Sequence, residues 1–166
     1  MLRSGGKCLR GFGLLLAAIA AVPAMPVNLA HAQTTIGDAT AMGLTGSCDK
    51  LTLGKQKLAD SCSGKLLNMS YPDGRVGFYF ILDDGRIVTF SGMDARNPTP
   101  DTDVVKVDKV IMGVKGKPKD PEVVAATGTC TYDNPYKGES TVSCDGTMSN
   151  GQRFSARFTS DGKPPT

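Results

Sequence analysis

Thr45-Gly46-Ser47-Cys48, a gap of thirteen residues, then Cys62-Ser63-Gly64: the fold is decided by this stretch, because the chain writes it twice. Thr127-Gly128-Thr129-Cys130 is followed, after the same thirteen residues, by Cys144-Asp145-Gly146. Ser61 and Ser143 precede the second cysteine of each copy. The offset is 82 residues from Cys48 to Cys130 and from Cys62 to Cys144. It falls to 77 further on, where Gly74 answers Gly151 and Asp84-Gly85-Arg86 answers Asp161-Gly162-Lys163. Two similar halves are predicted, with a five-residue gap between Gly64 and Gly74. The repeat names no activity.

The pairing of the cysteines follows from the same spacing. Cys8 lies in a leader-like segment, which leaves Cys48, Cys62, Cys130 and Cys144. In an exported chain four cysteines read as two disulfides, with three possible connectivities. Equal spacing in each copy selects Cys48–Cys62 and Cys130–Cys144. Each bridge would tie a hairpin, so a turn must lie midway between its cysteines. Gly54-Lys55-Gln56 and Asn134-Pro135-Tyr136-Lys137-Gly138 occupy those midpoints, and both are turn-forming. Closing a loop of about 15 residues contributes on the order of 3 kcal/mol in the chain-entropy model.

Residues 1–32 read as a signal peptide. Arg3, Lys7 and Arg10 form a basic start, residues 14–22 are apolar, and Ala30-His31-Ala32 is a small-x-small cleavage site. The apolar run is short of the roughly 20 residues that span a bilayer, so no stable membrane insertion follows cleavage. Gln33 is then the mature N-terminus. Removing three basic residues leaves 16 Lys and Arg against 16 Asp and Glu, so no nucleic acid or anionic membrane is implied as partner. The location implied is the periplasm or the extracellular space, and the leader has a bacterial look.

From Met42 onward the chain reads as all-β. Valine, threonine and aromatic runs are cut at short intervals by Gly, Asp-Gly and Pro, and nothing keeps a helical period. Residues 33–41 read as a loose N-terminal arm and residues 42–166 as a single β domain. Its first half covers 42–94, a connecting segment 95–122 and the second half 123–163. Asp73-Gly74 and Asn150-Gly151 between apolar runs are hairpin signals. The prediction is an antiparallel meander of about eight or nine strands, closed as a small barrel or a two-sheet sandwich. Residues 94–103 and 115–121 read as loops. Alternation in the second copy turns the cysteines inward, with a glycine two residues away leaving room for the sulfurs.

Chemistry is bounded mostly by what is missing. Without His31 the mature chain has no histidine, so Ser-His or Cys-His nucleophiles and His-ligated metals drop out. Disulfide formation leaves no free thiol, and Trp is absent. No catalytic residue, cofactor or metal is therefore assigned. Residues 94–103 offer oxygen ligands but lack the calcium-loop pattern of glycine and glutamate. A carboxylate hydrolase would have to draw its pair from loops such as Asp83-Asp84, and turn aspartates more often cap their own backbone.

Two stretches stand out as candidate surfaces. Aligned on the 77-residue offset, Phe78, Phe80 and Leu82 fall on the outward face, where the second copy has Ser155, Arg157 and Thr159. Val88 and Phe90 continue this apolar set. Such a face is either covered within the monomer or is a binding surface for a protein, an envelope component or a small apolar ligand. The second stretch contains Lys115, Lys117, Pro118 and Lys119, stiffened by Pro121 as the presenting loop of a secreted inhibitor would be. The expectation is an exported, non-enzymatic binding or structural module, with an inhibitor as the alternative and a hydrolase behind both.

Overall fold

The computed structural model describes residues 34–166; the segment read as a signal peptide and its cleavage site lie outside them, as does the side chain of Pro118. Ten strands form one antiparallel sheet: β1 (Thr34–Ile36), β2 (Ala39–Leu53), β3 (Gln56–Lys57), β4 (Cys62–Ser70), β5 (Arg75–Leu82), β6 (Ile87–Thr99), β7 (Thr102–Val114), β8 (Lys117–Asp133), β9 (Thr141–Met148) and β10 (Arg153–Ser160). The order is β2-β10-β9-β8-β7-β6-β5-β4, and β4 pairs back to β2. Eight strands thus close a barrel, a size whose interior side chains can fill. The short β1 and β3 each pair with β2. Of the segment read as a loose arm, β1 and the start of β2 make a hairpin through Gly37, whose φ of 62° suits glycine.

The duplication is visible in the register. Thr45 pairs with Lys65 in the first half and Thr127 with Thr147 in the second, both offset by 82. Both disulfides form as the spacing required, Cys48–Cys62 and Cys130–Cys144. The gap also falls within its predicted bounds, because β4 runs eight residues past Cys62 while β9 runs four past Cys144. A register shift between Cys62 and Leu66, beside Gly64 with φ 68°, takes up two of the extra residues.

The motif glycines serve different neighbours in the two copies. In the second, Gly128 pairs with Gly146, and a Cβ on Gly128 would lie 2.6 Å from Cζ of Phe154. The space beside the cysteines therefore seats a phenyl ring, where room for the sulfurs was expected. In the first copy Gly46 marks the point where β2 leaves β4 for β10. A Cβ there would lie 2.7 Å from the Ser160 Cα, so only glycine lets the strands approach.

Two stretches read as loops are strand. β6 continues to Thr99, and only residues 100–101 turn into β7. Past Asp94 this part of β6 has β7 alone as partner, and at such an edge Pro98 is tolerated. Likewise Lys115-Gly116 is a two-residue turn and β8 starts at Lys117. The ladder slips between Met112 and Val114, so residues 118–121 bulge out of register. The segment read as a connector between the halves is thus part of the barrel wall.

Candidate functional site

The aromatic set read as outward is the core. Phe78, Phe80 and Phe90 are fully buried, with Leu82 and Val88 beside them, so none of the five offers a surface to a partner. The reason lies in the parity of the offset. A strand has a side-chain period of two, so a one-residue slip exchanges its faces. The 77-residue offset maps Phe78 onto Ser155, but the faces follow the cysteines at their even offset of 82. The slip between Cys62 and Leu66 is two residues and keeps the face. Even-numbered residues therefore point inward in both strands: Val76, Phe78, Phe80 and Leu82 in β5, with Phe154, Ala156 and Phe158 in β10. Phe80 meets Phe90 and Phe158 edge-on at 5.6 and 6.4 Å, and Phe78 meets Tyr132 at 5.2 Å.

What β5 turns outward is the other half of its apolar character. Tyr79 pairs with Thr89, Thr89 with Ile111 and Ile111 with Val123, which makes one row across β5, β6, β7 and β8. Ile81 and Ile87 form a second row. The large apolar residues left exposed are Ile36, Met93, Ile87 (38%), Val114 (38%) and Val123 (59%), and the last three share this wall. Scattered apolar residues need no explanation, but a contiguous patch does.

The wall is indented there. A groove of about 400 Å³ has Tyr79, Ile87, Thr89 and Ile111 in its floor and Val114 and Pro121 along its side. The indentation comes from Gly113, which adds no side chain; a Cβ at this position would sit 3.1 Å from the Ile87 backbone nitrogen. Tyr79 is fixed from behind, its ring packed on Gly77 and its hydroxyl 3.1 Å from that of Tyr71. Burial, with the Tyr71 hydroxyl, pushes the Tyr79 phenol above its ordinary value, so it stays neutral.

Charge enters only at the rim, through Asp84, Arg86 and Lys115. The Arg86 backbone N–H donates to Asp84 Oδ1 at 3.1 Å and its Nε–H to Oδ2 at 2.8 Å. The backbone donor, then the guanidinium and Lys115, hold the Asp84 carboxyl below the usual range. Lys115 makes no ion pair or hydrogen bond of its own among the described residues. With one carboxylate and two cations, the rim carries a net positive charge.

The Lys/Pro candidate and the apolar strand thus meet in one place, though not as the sequence arranged them. Lys115 reaches the groove from the turn, while Lys117, Pro118 and Lys119 lie along β8. Over residues 117–125 this strand has β7 alone beside it, since pairing with β9 begins at Ala126. Prolines and charges on such an edge discourage further strand pairing. Asp73, Asp84, Asn150 and Asp161 each accept the backbone N–H two residues on, which is a turn-stabilising role. Ile87, Ile111, Gly113 and Val114 were not singled out in the sequence.

No protein-family model, curated protein or solved structure matches this chain.

Proposed function

We propose that this is an exported, non-enzymatic binding module that takes an apolar group in the groove on its outer wall. The observation that carries the reading is the contrast between the two faces of one sheet. The interior is filled by Phe78, Phe80, Phe90, Phe154 and Phe158, while exposed Ile87 and Val114 line the indentation at Gly113 and exposed Val123 pairs with Ile111 beside it. A groove of this volume suits a single small ligand or one side chain of a partner. Export is supported by the basic-apolar-small pattern of residues 1–32 and by two disulfides, which persist in oxidising compartments such as the periplasm. The inhibitor reading gains less, because Lys117 is paired to Val114 and the turn before it has only two residues.

The test is a titration with N-phenyl-1-naphthylamine, a neutral probe that fluoresces in apolar sites. The wild-type protein should give saturable enhancement. Ile87→Asp with Val114→Asp should abolish it while the melting temperature moves by only a few degrees, since both side chains are partly exposed. Undiminished enhancement in the folded double variant would overturn the groove as the site.

A further inference from the structure

Resting on the groove reading above, we propose that the ligand is a free amphipathic carboxylate, an acyl chain or aryl group ending in one anionic head. Its apolar body would lie over Ile87, Ile111 and Val114, and its head would face Lys115.

Two observations narrow the chemistry. The floor is carbon-rich and its one phenol is already engaged with Tyr71, so it selects for apolar bulk and not for a polar ligand. The rim has three charged groups, and Asp84 is answered by Arg86 through two hydrogen bonds and by the more distant charge of Lys115, so the rim carries one more cation than anion. An apolar floor beside a rim with one excess cation is complementary to an amphiphile with a single negative charge. A cationic head would meet Lys115 with repulsion, and a neutral one would leave it unanswered.

The source follows from charge and size. Residues 33–166 carry 16 basic and 16 acidic side chains, so the protein as a whole has no attraction to an anionic bilayer. A depression of about 400 Å³ accommodates one chain or ring system and no lipid surface. The ligand is accordingly a monomer taken from solution.

The experiment compares three amphiphiles of equal chain length, decanoate, decanol and decyltrimethylammonium, as competitors for bound N-phenyl-1-naphthylamine, each kept below its micelle concentration. Decanoate should displace the probe best, and Lys115→Gln should weaken decanoate about three- to fivefold, the size of an exposed ion pair. Decanol should be unaffected by that substitution. Equal displacement by all three, or a Lys115→Gln variant that binds decanoate unchanged, would overturn the carboxylate assignment and leave the apolar groove standing. Displacement that persists in the Ile87→Asp, Val114→Asp protein would overturn the groove itself, and with it this inference. Binding to phosphatidylglycerol vesicles without binding to monomeric decanoate would overturn the assignment to a free ligand. Val114→Asp alone serves if the double variant does not fold.

Discussion

Phe154 stacks on Phe90 with ring centroids 5.1 Å apart and planes 28° from parallel. The two residues come from opposite halves of the chain, and their strands, β10 and β6, are not neighbours in the barrel. The contact therefore crosses the interior and locks one half on the other. Phe80 repeats the pattern by meeting Phe158 of β10. A duplicated sequence has become a single core.

From this follows the sharpest stability prediction. Phe80→Ala should lower stability by about 3–5 kcal/mol and the melting temperature by on the order of 10–20 °C. Phe78→Ser with Phe80→Arg, the residues of the second copy at the 77-residue offset, should prevent folding, since it buries an unpaired cation. Calorimetry decides. A double variant that melts within a few degrees of wild type would mean that β5 turns this face to solvent.

The seat of Phe154 gives a coupled prediction. Gly146→Ala places a methyl against the ring, 2.6 Å from its Cε1, and should destabilise by about 1–3 kcal/mol. Phe154→Leu shortens the group it meets. The double variant should therefore be less unstable than the sum of the singles by at least about 0.5 kcal/mol. Strict additivity in denaturant melts would show that the glycine pair serves the backbone alone.

How far the sequence reached is clear at particular residues. Cys48, Cys62, Cys130 and Cys144 could be paired because covalent spacing and midpoint turns survive any error of register. The faces of β5 could not be read, because both of its alternating sets are apolar and the five-residue insertion is odd. One slipped residue turned Phe78 and Phe80 outward on paper. Pro98 and Pro118 suggested loops because proline breaks a central strand, whereas Pro98 stands where β6 has β7 alone beside it and Pro118 stands in the bulge at the start of β8. The groove itself was invisible, since it needs Tyr79, Ile87 and Ile111 from three strands to share one outer wall.

The two disulfides should differ in reduction. Cys130 and Cys144 are fully buried in a continuous ladder, while Cys48 and Cys62 are partly exposed where β2 parts from β4. Local opening is easier at that seam. Timed reduction and alkylation with peptide mapping should label Cys48 and Cys62 first. Earlier labelling of Cys130 and Cys144 would contradict the seam.

Arg75 and Asp108 predict a pH dependence. Asp108 sits at the bulge of β7 and receives both terminal nitrogens of Arg75 at 2.9 and 2.8 Å, which holds its carboxyl below the usual range. A depressed folded-state pKa means that the contribution is fully present above about pH 4, the unfolded value, and is lost as pH falls through the folded one. Wild type should thus exceed Asp108→Asn in urea midpoint at pH 7, and the difference should shrink as the pH falls below about 4, through the lowered folded value. A difference independent of pH would remove the ion pair from the explanation.

The most direct test of the outer-wall claim is methyl NMR of the labelled protein during titration with N-phenyl-1-naphthylamine. Ile87, Ile111 and Val114 line the groove, whereas Leu66, Leu82 and Val110 point into the filled interior. The account predicts that the first three methyl signals move with one binding curve and the interior three stay in place. Movement of Leu66, Leu82 and Val110 with Ile87 and Ile111 unchanged would put the ligand inside the barrel and contradict it.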